Sequence, residues 1–192
     1  MNKLILSDLD LTLVNKSLEI DFLKYLFNNS NVYKNSINLF YWTISRLFLH
    51  KNRRDYFKFF YYKYSKMAID EAVKSWLKNV DLKDFKINDS IIKTKKEGDL
   101  FFVLTNCPSF ISIPFCAKFL PNVVDYVFAT LIHEKNNIYH YRVRRKVYDK
   151  NKMRIAKKLL AYFPYKSIGY GDSETDIPFM SLCEESVLID FR

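Results

Sequence analysis

Apolar residues follow two periods along this chain. Unbroken apolar runs stand at Leu4-Ile5-Leu6, Leu100-Phe101-Phe102-Val103-Leu104, Tyr126-Val127-Phe128-Ala129 and Val187-Leu188-Ile189, each closed by polar residues, and Ser167-Ile168-Gly169-Tyr170 before Gly171-Asp172 reads as a further strand. Runs of this length suit strands buried on both faces of a parallel sheet. Elsewhere apolar residues return every three or four positions, the period of one helix face. Phe22, Leu23, Leu26 and Phe27 do so, as do Ile155, Ala156, Leu159 and Leu160. A third such set is Ile37, Phe40, Tyr41, Ile44, Leu47 and Phe48. The spacing predicts helices starting at Leu18 and over about 34–49, 53–67, 69–77, 89–96, 110–119 and 152–162. Ser17 stands at the expected N-cap of the first, and Glu19 and Asp21 suit the positive end of its dipole. Gly98 is expected to stop the helix begun at Asp89, and the stretch 132–141 reads as a hairpin turning at Asn136-Asn137.

Strands alternating with helices predict an α/β fold with a parallel sheet between helical layers, a Rossmann-like three-layer core. No strand pattern occurs between the first strand and residue 81, so 15–81 reads as an inserted helical segment, with 1–14 and 82–192 forming the core domain.

Composition changes this picture in one place. Of 192 residues, 49% are hydrophobic, enough for a packed core, and Lys plus Arg outnumber Asp plus Glu by 31 to 21. Within 16–78 the ratio is 12 to 5, so the insertion carries most of the excess positive charge. Its densest part, Lys51, Arg53, Arg54 and Lys58, is interleaved with Tyr56, Phe57, Phe59, Phe60, Tyr61, Tyr62 and Tyr64. Two readings stand: a solvated basic face over an aromatic core, or a surface that grips an anion, stacks on bases or touches a membrane peripherally. Three unpaired cysteines without metal spacing, and no secretory leader, lead to an expected cytoplasmic location. The stretch 37–49 is interrupted by Arg46 and is too short to span a bilayer. His133 and His140 read as isolated surface residues.

The candidate chemistry sits at the strand ends. Asp8-Leu9-Asp10 follows the first strand; by itself it reads equally as a ligand site or as a loop start. Thr105-Asn106 follows the second, where a hydroxyl before a helix can hold a phosphate or can cap that helix, with Thr105 or Ser109 as the cap. Gly171-Asp172-Ser173-Glu174-Thr175-Asp176 follows the fourth, its glycine read as a tight turn. Lys152 opens the helix in between; Lys150 competes with it, but the register Lys152-Ile155-Ala156-Leu159 favours Lys152. Ends of neighbouring parallel strands lie side by side at the sheet's carboxyl edge. Carboxylates gathered there repel one another unless a cation joins them, and hard oxygen ligands suit Mg²⁺. Thr105 and Lys152 supply a donor and a positive charge for phosphoryl oxygens.

Asp8-Leu9-Asp10-Leu11-Thr12, Leu104-Thr105-Asn106, Lys152 and Gly171–Met180 in this order resemble the motifs of the haloacid dehalogenase (HAD) superfamily, and within it the phosphoserine-phosphatase-like group. The resemblance covers nearly the whole chain. It implies that residues 15–81 form a helical cap domain. It implies a Mg²⁺-dependent phosphatase acting on a phosphate monoester, with Asp8 as nucleophile and Asp10 as general acid and base. Asp8, the backbone carbonyl of Asp10, and Asp172 would hold Mg²⁺; Thr105, Asn106 and Lys152 would bind the phosphoryl group; Asp176 would orient Lys152 or a metal-bound water. The partner would be a small phosphorylated metabolite, sugar or lipid phosphate, with nucleic acid disfavoured. Leu11 departs from the family pattern, which has glycine there. The competing reading keeps the fold without catalysis and binds nucleic acid or anionic membrane through the basic, aromatic insertion. A phosphotransferase would use the same residues as a phosphatase.

Overall fold

The computed structural model describes residues 2–29, 61, 64–81 and 85–190. The helices expected over 34–49 and over most of 53–67, together with the basic cluster from Lys51 to Lys58, lie outside these residues.

Strand β1 (Lys3–Ser7) is followed by α1 (Leu18–Asn29), α2 (Lys66–Asn79) and the short α3 (Asp89–Ile92). Then come β2 (Leu100–Pro108), α4 (Ser109–Phe119), the hairpin β3 (Tyr126–Lys135) and β4 (Ile138–Arg145), α5 (Lys150–Tyr162), β5 (Lys166–Gly171), α6 (Ile177–Met180) and β6 (Glu185–Leu188). They form one six-stranded sheet in the order β4-β3-β2-β1-β5-β6. All pairs are parallel except β3 with β4.

The alternation of side chains along each strand builds the layers. Ile5, Phe101 and Val103 face one cluster, with Phe22 of α1, Val73 and Trp76 of α2 and Phe115 of α4. Leu4, Leu6, Phe102 and Leu104 face the other, with Ala156 of α5 and Phe179 and Met180 of α6. Helices therefore cover both faces of β1, β2 and β5, which is why β1 and β2 read as continuous apolar runs rather than as alternating ones, whereas β6 is exposed throughout. The described parts of 15–81, α1 and α2, share the first cluster with the sheet.

Several local expectations change. The helix from Asp89 ends at Ile92 and passes into turns, and Gly98 takes a positive φ of 85°. The break expected before Ile69 is absent: α2 runs unbroken from Lys66, with Ser65 accepting from the Ala68 N–H at 3.2 Å. Neither Thr105 nor Ser109 caps α4; its N-cap is Pro108, and Thr105 Oγ1 instead accepts from the Cys107 N–H at 3.1 Å. The hairpin does turn at Asn136 and Asn137, both at positive φ (54° and 59°), the conformation of a two-residue type I′ turn. It brings His133 and His140 to 5.4 Å between ring centroids, a pairing hidden in the linear sequence. Tyr61 is fully buried, stacked on Phe22 and edge-on to Phe110, so this member of the aromatic stripe belongs to the core.

Candidate active site

Register places the site. Ser7 pairs with Val103 on one side and Tyr170 on the other, so β1 and β5 end together, while β2 runs on beside β3 to Pro108. Asp8 is the next residue, and its N–H donates to the Tyr170 carbonyl at 2.9 Å. Thr105 and Asn106, expected just past the second strand, lie within β2, which continues to Pro108; with Asp8 and Asp172 at the ends of β1 and β5, and with Asp10, Lys152 and Asp176, they line one cavity of about 270 Å³. All seven residues singled out from the sequence meet here.

Lys152, on the first turn of α5, is 3% exposed, whereas Lys150 is exposed. Its Nζ donates to Asp8 Oδ1 and to Asp176 Oδ1, both at 2.6 Å. Ala156, one helical turn further on, is buried, so the buried stripe of α5 carries Lys152 inward. Burial works against the charge on Lys152, but Asp8 and Asp176 outweigh it and hold the ammonium above the ordinary lysine value of 10.5.

One ammonium does not neutralise the acids around it. Carboxylate oxygens of Asp8, Asp172 and Asp176 lie within 4.8 Å of one another. Burial pushes Asp8 from 3.8 up to about 7; Lys152 opposes this and Asp176 adds to it. Burial, then Asp176, also raises Asp172. Three hard oxygen donors short of positive charge, at a cavity that water can enter, fit a divalent cation such as Mg²⁺.

Asp10 is placed differently. Its Oδ2 accepts from the Ser17 hydroxyl at 3.1 Å and its Oδ1 from the Leu18 N–H at 3.2 Å. Ser17 occupies the expected N-cap position, with its carbonyl accepting from the Asp21 N–H. Its hydroxyl, however, serves Asp10, and the carboxylate of Asp10 takes over a donor at the helix start. Burial raises Asp10 to about 6, while these two donors hold it down.

Neighbours that the sequence did not single out fix the remaining groups. Thr130, fully buried on β3, accepts from the Val147 N–H at 3.0 Å and donates to Asn106 Oδ1 at 3.1 Å. Ser173 donates to Asp176 Oδ2 at 2.9 Å, and Thr12 to Asp172 Oδ1 at 3.4 Å. The Ser173 contact is local, three residues away, and was legible in principle; the Thr12 and Thr130 contacts depend on strand order.

Two backbone features frame the site. Leu11 has φ +61°, the left-handed conformation that a glycine adopts freely. Gly171, by contrast, is not at positive φ, which corrects the turn reading. A Cβ there would come 2.5 Å from Asp176 Cβ and 2.7 Å from Met180 Sδ. The glycine is needed for close approach, because α6 packs against the end of β5.

The haloacid dehalogenase-like hydrolase family profile matches residues 5–181. No curated protein sequence matches the chain. Among solved structures, a protein of unknown function from Bordetella pertussis Tohama I superposes with a TM-score of 0.72 at 17% identity, covering 98% of this chain and 90% of that one. A substrate-bound phosphoserine phosphatase superposes with a TM-score of 0.65 at 16% identity, covering 98% of this chain and 86% of that one. A phosphoserine phosphatase holding an analogue of a phospho-aspartyl intermediate gives 0.64 at 16% identity, over 97% and 86%. At these identities the likeness is one of fold.

Proposed function

The chain belongs to the haloacid dehalogenase-like hydrolase family, and from that premise we propose that it is a Mg²⁺-dependent phosphatase of small phosphate monoesters, working through an aspartyl-phosphate on Asp8. The observation that carries this reading is Lys152 Nζ at 2.6 Å from both Asp8 and Asp176, beside the Asp8, Asp172 and Asp176 carboxylates.

In this reading a carboxylate oxygen of Asp8 attacks phosphorus, the bond to the leaving oxygen breaks, and Asp10 gives that oxygen a proton. Asp10 then takes a proton from the water that cleaves the aspartyl-phosphate, returning Asp8 and releasing phosphate. Asp10 lies two residues beyond Asp8, and burial keeps its proton affinity high enough for this exchange near neutral pH. Lys152 balances charge on the phosphoryl oxygens, and Asp176 holds its ammonium in place. The Thr105 hydroxyl and the Asn106 amide are the added donors, with Thr130 fixing the orientation of Asn106. Asp8, Asp172 and the backbone carbonyl of Asp10 would hold Mg²⁺, and Asp176 lies close behind them. The ion, when bound, supplies Lewis-acid stabilisation of phosphoryl charge.

We assign residues 15–81 to a cap segment; the Asp10 carboxylate accepts from Ser17 and from the Leu18 N–H at the start of α1, which links this segment to the proposed acid. Among the described residues no helix is long and apolar enough to cross a membrane. The test is hydrolysis of p-nitrophenyl phosphate by the purified protein, with Mg²⁺ and with EDTA. Turnover that EDTA stops and that Asp8→Asn abolishes is the expected result. Full activity in Asp8→Asn refutes the mechanism.

A further inference from the structure

Leu11 carries a cost that its packing does not offset. A left-handed backbone conformation is unfavourable for a residue that bears a side chain, and Leu11 holds it at φ +61°. An apolar side chain in such a place is normally retained by burial. Leu11 is instead 43% exposed, so the core gains little from it. Its side chain lines the cavity of the catalytic residues. Ile20, on the first turn of α1, lines the same cavity and is 41% exposed. Both stand beside the proposed acid: Leu11 follows Asp10 directly, and α1 begins at the Asp10 carboxylate. In the phosphatase reading Asp10 gives its proton to the leaving oxygen, which puts whatever is attached to that oxygen in the cavity that Leu11 and Ile20 line. The turn itself, in which the Leu13 and Val14 N–H groups donate to the Leu9 carbonyl at 3.0 and 3.1 Å, needs the backbone conformation but not the side chain; an exposed apolar side chain kept on strained backbone at a functional site directs attention to recognition.

We propose that Leu11 and Ile20 form an apolar rim that selects the leaving group, and that the substrate class is phosphate monoesters with a hydrocarbon chain or ring next to the ester oxygen. This rests on the phosphatase reading above and deepens it. Each methylene laid against the rim is removed from water, and full burial of one methylene corresponds to about fourfold in a rate or binding constant. A rim that stays partly open gives about twofold to threefold per methylene.

The experiment is kcat/KM for a homologous series of n-alkyl phosphates, methyl to hexyl, with Mg²⁺ and with p-nitrophenyl phosphate as control. The expected result is a rise of about twofold to threefold per methylene over the first few members. Leu11→Ala keeps the backbone requirement unchanged and removes the side chain; Ile20→Ala does the same from the exposed face of α1. Each flattens the slope, whatever its effect on the rate for the shortest member. Circular dichroism and thermal melts of both variants confirm folded protein. A flat series in the parent chain, or a slope that survives in both variants, overturns the rim while leaving the phosphatase reading intact. No turnover of any member, p-nitrophenyl phosphate included, overturns both.

Discussion

Lys152 and Asp8 form a buried ion pair, Nζ to Oδ1 at 2.6 Å, with 4% and 9% of their side chains exposed. Asp176 shares the same ammonium at 2.6 Å. Removing one member of a buried pair leaves a charge without compensation, at a cost of about 3–5 kcal/mol. Lys152→Met, close in volume, is expected to lose stability of this order in urea titrations with EDTA, and to regain part of it with Mg²⁺. Unchanged stability in EDTA would show that the ammonium does not compensate the acids.

The pH dependence of the metal-free protein follows from Asp8. Its carboxyl is raised by burial from 3.8 to about 7 in the folded chain. A raised pKa means that the folded state binds the proton more tightly than the unfolded state. The stabilisation is therefore complete below pH 4 and is lost as pH rises through 7. Asp8→Asn has no such proton to lose. Its melting temperature in EDTA is expected to gain on the parent chain between pH 4 and pH 8. Thermal melts in matched buffers check this; a gap that narrows with rising pH contradicts it.

Leu11→Gly relieves the left-handed backbone strain, roughly 1–2 kcal/mol. Glycine also gains freedom in the unfolded chain, which costs about 0.5–1 kcal/mol. The net expectation is a stabilisation of about 0.5–1 kcal/mol in chemical denaturation. A loss of stability would mean that the half-exposed side chain packs better than its exposure indicates.

Ser17 and the Leu18 N–H hold both oxygens of Asp10. If Asp10 protonates the leaving oxygen, loosening it should matter most where that oxygen is a poor leaving group. Ser17→Ala is expected to lower kcat about tenfold for alkyl phosphates, a part of the roughly hundredfold or more that general acid catalysis supplies, and much less for p-nitrophenyl phosphate. Ser17→Thr should restore it. Equal losses on both substrates would point to a structural role alone.

At Gly171 there is no room for a methyl group, because its carbon would lie 2.5 Å from Asp176 Cβ. Gly171→Ala must displace Asp176 and α6 from the end of β5, and so disturb the Asp176–Lys152 contact. A core clash of this kind costs about 1–3 kcal/mol, and an activity loss larger than that of Ser17→Ala is expected. Calorimetry and p-nitrophenyl phosphate kinetics measure the two effects.

Much of this protein was legible in its sequence because its central strands, β1, β2 and β5, are buried on both faces. Burial forces apolar residues at every position of Leu4–Leu6 and Leu100–Leu104, and the pattern breaks where polar side chains line the cavity, at the end of β1 and within β2. The residues after each break, Asp8, Thr105 and Asp172, therefore stood out. Lys152 could be preferred over Lys150 because helical period alone relates it to Ala156. Local turn chemistry likewise announced the hairpin at Asn136-Asn137.

What the sequence left open depended on which strands lie side by side and how closely they approach. Only the order β3-β2-β1-β5 brings Thr130 to Asn106 and Thr12 to Asp172. Only packing shows that Gly171 is small because Asp176 presses against it, not because the backbone needs a positive φ. Asp10 read as one of a pair of acids at a strand end; the tertiary structure turns its carboxylate to the start of α1 and leaves Asp8, Asp172 and Asp176 as the cluster suited to a cation. The physical reason is the same in each case. Apolar periodicity is a property of one segment and its solvent, whereas the charge balance of a site is a sum over segments distant in the chain, which only the fold brings within a few ångströms.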